Sequence, residues 1–79
     1  MEMTTREMRS TLTRFFGTIQ WQLSESDGLV RVEYHRTTSR GMYLWGEFAS
    51  GATVEKALLA ACRRVYEIVN QERIEAVTA

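Results

Sequence analysis

The chain has no proline, one cysteine and one histidine, and its ten basic and ten acidic residues cancel to a formal charge of zero. Each scarcity removes a class of answer. The lone cysteine, Cys62, excludes an internal disulfide framework and fits a reducing compartment. With one histidine beside it, the chain lacks the set that a structural zinc site needs. Balanced charge argues against a dedicated nucleic-acid binder, whose domain is usually strongly basic. No apolar run reaches the roughly 18 residues that span a bilayer. The opening Met1-Glu2-Met3-Thr4-Thr5-Arg6 has no apolar stretch of the signal-peptide kind. No membrane contact is expected, and the expected location is the cytoplasm. The five glycines are scattered and form no phosphate-cradling loop.

What is present suits one small folded domain. Of the 79 residues 44% are hydrophobic, enough for one core, and no repeat or linker divides them. We expect a single domain over 1–79 with an ordered core of about 4–73.

Four stretches carry structural signals. The first is a helix over 5–16. Thr4 and Glu7 have capping-box spacing, and Met3 and Met8 fall at the staple positions. Met8, Leu12, Phe15 and Phe16 form one apolar stripe, with Arg6, Arg9 and Arg14 largely off it, and Gly17 is a natural stop. The second is a hairpin. Ile19, Trp21 and Leu23 alternate with polar residues, as do Val30, Val32 and Tyr34, and Asp27-Gly28 between them signals a type I′ turn. A two-residue loop there sets Leu23 opposite Val32 and Trp21 opposite Tyr34. Those are the apolar faces of both strands, so turn chemistry and alternation agree on the register.

The third stretch is a strand over 42–49. Met42, Leu44 and Phe48 share one face, and Tyr43, Trp45 and Glu47 the other. Pairing Tyr34 with Met42 keeps the apolar faces together and sets Glu33 opposite Tyr43 and Arg31 opposite Trp45. The connection, Arg36 to Gly41, is polar and basic. The fourth is a helix over about 54–73. Its apolar stripe is Val54, Ala57, Leu58, Ala61, Val65, Ile68 and Val69, with Thr53 or Ser50 as cap and fraying expected over 75–79. The fold class is therefore α+β, in the order α-β-β-β-α. A three-stranded antiparallel sheet carries both helices on its apolar face.

The other sheet face is left to solvent. It presents Gln20, Gln22, Arg31, Glu33, His35, Tyr43, Trp45 and Glu47. Tyr, Trp and Arg dominate binding energy at interfaces, so the candidate partner-binding residues are Trp45, Tyr43, Arg31, Glu33 and His35, joined by Arg36 and Arg40 of the adjoining loop. The bland alternative is a cross-strand stack of Trp45 with Arg31 that only stabilises the sheet. Arg63 and Arg64 on the second helix form a small basic patch, with Glu67 spaced to pair with Arg63. Catalysis is not expected. His35 and Cys62 belong to opposite sides of the sheet, and Glu33 and Glu47 share an open face with no cleft to desolvate them. No cofactor or metal is expected.

Three resemblances bear on function. The α-β-β-β-α order, with Gly51-Ala52-Thr53-Val54-Glu55-Lys56-Ala57 opening the last helix, resembles the double-stranded-RNA-binding domains. Val54 and Glu55 stand where that family has phosphate-gripping lysines. The segment Gly51 to Leu58 is also similar to the strand-to-helix corner of HicB-like antitoxins, which implies an oligomeric accessory protein. In size and layout the chain resembles small phage or prophage anti-CRISPR inhibitors, a class without a shared motif. That resemblance implies a non-catalytic protein, monomeric or homodimeric, in the cytoplasm of a bacterial host. It would dock on a CRISPR effector complex and block target DNA binding.

The assignment of faces is testable by itself. Trp21→Ala is expected to cost about 3–5 kcal/mol as a core truncation, and Trp45→Ala much less, in urea denaturation. A costlier Trp45 would mean that the two faces are reversed.

Overall fold

A computed structural model describes residues 3–78. The elements are α1 (Thr5–Phe16), β1 (Trp21–Ser26), β2 (Leu29–Thr37), β3 (Tyr43–Gly51) and α2 (Val54–Thr78). The strands form one antiparallel sheet in the order β1-β2-β3. Both helices pack on one face, giving a two-layer body 20 Å thick.

Local chemistry sets the start of α1. The Thr4 hydroxyl accepts from the Glu7 N–H at 3.1 Å, and the Glu7 carboxylate accepts from the Thr4 N–H at 3.3 Å. This reciprocal capping box satisfies two donors that a helix start leaves orphaned. Met8, Leu12 and Phe16 are buried, Phe15 and Met3 pack partly against them, and Gly17 ends the helix at φ 61°.

The first hairpin has the expected register, with Trp21 opposite Tyr34 and Leu23 opposite Val32. Asp27 and Gly28 both have positive φ, 55° and 73°, as a type I′ turn requires. The strand begins later than alternation suggested: Ile19 lies outside β1 and is exposed.

The second hairpin departs from expectation. Tyr34 faces Gly46, not Met42; Glu33 faces Glu47, not Tyr43; and Trp45 faces His35, not Arg31. The strands run closer to the turn than expected: β2 continues to Thr37, which pairs with Tyr43, so the register moves by four residues. Beyond Glu33 a bulge moves it by one more. Val32 pairs with Ala49 and Glu33 with Glu47, which leaves Phe48 as an extra residue in β3. Phe48 is buried and Ala49 packs beside it, so neighbouring residues both face the core. Arg64 of α2 donates to the Phe48 carbonyl at 2.7 Å and lies over its ring, 4.7 Å from the centroid. The supposed basic patch on α2 thus holds the bulge through Arg64, while no ion pair joins Arg63 to Glu67 among the described residues.

The buried side of α2 is Ala57, Leu58, Ala61, Cys62 and Val65. Val54 and Val69, expected in that stripe, are exposed. The helix has 25 residues, about 37 Å at 1.5 Å per residue, and its C-terminal part runs past the core, leaving Val69, Ile74 and Val77 exposed. Helix persists through Thr78, beyond the expected fraying point, and the last residue, Ala79, falls outside the described residues. The α2 start is capped by Thr53, whose hydroxyl accepts from the Lys56 N–H at 3.1 Å. Cys62 sits fully inside the core, where its thiol donates to the Met8 carbonyl at 3.7 Å and ties α2 to α1. Burial raises its pKa.

Two predictions follow from this packing. A Cβ on Gly51 would stand 2.6 Å from the Ala57 nitrogen and 2.7 Å from the Lys56 carbonyl carbon. Those are backbone atoms that cannot swing aside. Gly51→Ala should therefore lower stability by about 1–3 kcal/mol, read as a lower urea midpoint. The Cys62 thiol should resist alkylation in the native state and react once urea unfolds the chain. An unfolded thiol ionises near pH 8.5 and the buried one higher. The associated stability is complete below about pH 8 and declines as pH rises through the folded value.

Candidate functional site

The site is the far end of the β2–β3 hairpin. Its turn, 38–42, is organised by Thr38. The Thr38 N–H donates to the Met42 carbonyl at 2.8 Å, its carbonyl accepts from the Gly41 N–H at 2.9 Å, and its hydroxyl accepts from the Met42 N–H at 3.1 Å. Gly41 takes φ 80°, which a side chain would strain. A rigid turn therefore presents the strand ends on both sides of it.

On the open face His35 forms an aromatic ladder with β3. Its ring centroid lies 5.0 Å from that of Tyr43, nearly parallel at 26°, and 5.3 Å from that of Trp45. Tyr43 is 71% exposed and Trp45 41%. This replaces the expected stack of Trp45 on Arg31. Arg31 instead pairs with Glu47, Nε to Oε1 at 3.2 Å, and donates to the Ser26 hydroxyl. Gln22 donates to Glu33 at 3.2 Å. Glu33 and Glu47 are direct cross-strand neighbours, an unfavourable like-charge pairing, and each carboxylate has its own donor. The polar half of the open face is thus internally satisfied, and the aromatic half is not.

The structure brings His35, Tyr43 and Trp45 together and sets Arg31 and Glu33 beside them on the same face. Arg40 lies in the turn. Arg36, expected in the loop next to the aromatics, belongs to β2 and pairs with Leu44. It shares the helix-side face with Tyr34, where its Cδ would be 3.2 Å from a Cβ on Gly46. It therefore lies on the opposite side of the sheet from the ladder.

Sequence reasoning missed two residues. Met42 and Leu44 were expected in the core, yet Met42 is 57% exposed and Leu44 37%. The core residues of β2 end with Val32 and the half-buried Tyr34, and the hairpin continues past them to Thr37. Met42, Tyr43, Leu44 and Trp45 are thus four consecutive exposed apolar residues at the end of an edge strand. The available signal was length. A nine-residue β2 is about 30 Å long, and a 12-residue α1 about 18 Å.

Cys62 lies in the core between the helices and the sheet, and His35 on the sheet's outer face. Among the described residues no cluster of three or more His, Cys, Asp or Glu could hold a metal ion, and no helix is long and apolar enough to cross a membrane. Comparison with protein-family models, with curated proteins and with solved structures gives no match to this chain.

The Tyr34 ring rests against Gly46, whose Cβ would come within 3.1 Å of it. Gly46→Val should push this ring off β3 and disturb the neighbouring His35–Trp45 pair. The expected readout is a lower urea midpoint, with a smaller drop for Gly46→Ala.

Proposed function

We propose that this chain is a non-catalytic binding protein that docks on a protein partner through the end of the β2–β3 hairpin. The observation that carries this reading is the run Met42 to Trp45, apolar and exposed on an edge strand beside the His35 stack. Tyr43 and Trp45 lie with His35 on the open face and Leu44 on the helix side, so the exposed apolar surface wraps the strand edge, and such surface favours a partner that desolvates it. Aromatic anchors on a hydrogen-bonded sheet lose little conformational freedom on binding. A protein partner fits better than a nucleic acid, because Glu33 and Glu47 flank the aromatics and Arg31 is already paired with Glu47.

The function we assign is inhibition by occupancy, in which the bound chain covers a surface that the partner needs. The partner class to test first is a CRISPR effector complex whose target DNA binding would be blocked. In that setting the chain is a phage or prophage accessory protein in the bacterial cytoplasm. The small size, single domain and balanced charge support this reading.

The test is capture of a purified CRISPR effector by the immobilised chain, with and without nuclease. A nuclease-resistant complex is expected. Trp45→Ala should weaken it by at least about 2 kcal/mol, roughly 30-fold in Kd, and leave the fold intact. Failure of any effector to bind would remove the CRISPR reading. Binding that disappears with nuclease and falls steeply with salt would transfer the site to nucleic acid.

A further inference from the structure

On the opposite layer, α2 carries a second apolar line that the core does not use. Leu59 is 40% exposed and Tyr66 58% exposed. Both line an open groove, with Met3 and Met8 on its α1 side and Glu55, Lys56 and Arg63 along α2. Glu55, Leu59 and Arg63 follow one another at four-residue spacing, so they share one helix face. Glu55 and Arg63 have no ion-pair partner among the described residues.

This arrangement is self-complementary. Glu55 lies four residues before Leu59 and Arg63 four after it, about 6 Å away in each direction along the axis. A two-fold axis through Leu59, perpendicular to the helix, exchanges the two ends. It sets Glu55 of each copy against Arg63 of the other and brings the two Leu59 side chains together. Such an isologous contact needs one patch that matches itself, and a formal net charge of zero removes long-range repulsion between copies. A foreign partner would have to supply the same spacing of charges in reverse, which a second copy supplies by symmetry.

We propose that the chain forms an antiparallel homodimer in which α2 packs on α2 of a second copy across Leu59, closed by two reciprocal Glu55–Arg63 ion pairs. This contact is separate from the hairpin end and does not depend on the function proposed for it.

Sedimentation equilibrium of the full chain over the micromolar range tests the proposal, with circular dichroism as the check on folding. The wild type should show a concentration-dependent monomer–dimer equilibrium. Leu59→Asp should be monomeric throughout. Glu55→Arg and Arg63→Glu should each weaken the dimer at least about tenfold, and the double swap should restore it, because it rebuilds both pairs with reversed polarity. Rescue by the double swap is a readout that a change in helix stability would not give. A wild-type monomer at every concentration would overturn the proposal, as would a double swap no better than the single variants. A dimer broken by Trp45→Ala and untouched by Leu59→Asp would move the contact to the hairpin and overturn it as well.

Discussion

The extra residue in β3, Phe48, shifts the strand's inside–outside alternation by one position, and the rest of the sheet depends on that shift. On the α2 side of the bulge, Ala49 and Gly51 pair with Val32 and Val30 and belong to the core face. On the turn side, Glu47, Trp45 and Tyr43 belong to the open face. Without the bulge, unbroken alternation from Gly51 and Ala49 would put those three under the helices. A bulge breaks the local ladder, and here Arg64 supplies the Phe48 carbonyl with a donor from α2. The Phe48 ring then fills the centre of the core, edge-on to Phe16 at 5.0 Å and close to Phe15 and Tyr34. One position thus locks α2, the sheet and the C-terminal end of α1 together.

The same shift explains how the two aromatic groups of the chain come to differ. The inner group, Phe15, Phe16, Tyr34 and Phe48, is held by close ring contacts. Trp21 closes it on the β1 side, under Arg9 and with its indole N–H donating to the Thr13 hydroxyl at 3.2 Å. The outer group, His35, Tyr43 and Trp45, stacks only on itself. Its polar neighbours are neutralised in pairs, so a partner docking there as proposed would meet an apolar surface rather than a field of unpaired charge. Desolvating that surface costs little and excludes water readily, which suits a docking site.

Much of this architecture was legible in the sequence. The capping box fixed the start of α1, and Asp27-Gly28 fixed the first hairpin, because in both places one short motif dictates local geometry. The pairing of β2 with β3 was not legible. Phe48 and Ala49 are both apolar, and strict alternation assigns them to opposite faces although a bulge puts both inside. The roles of Arg64 and of Gly51 were hidden for a related reason. Each serves a contact between distant segments, which composition and spacing do not reveal. The candidate site was half visible. Tyr43, Trp45 and His35 were recognised as outward-facing, whereas Met42 and Leu44 read as core because alternation gives the side of a strand and not the point where its cover ends.

Cross-strand NOEs across β2 and β3, measured by NMR in solution, test the central claim most directly. The bulged register predicts backbone contacts from Val32 to Ala49, from Glu33 to Glu47 and from His35 to Trp45, with no partner across the strand for Phe48. Contacts from Tyr34 to Glu47 and from Arg36 to Trp45 would show an unbulged strand that carries the Val32–Ala49 register through to the turn. They would contradict both the proposed held position of Phe48 and the aromatic surface that depends on it.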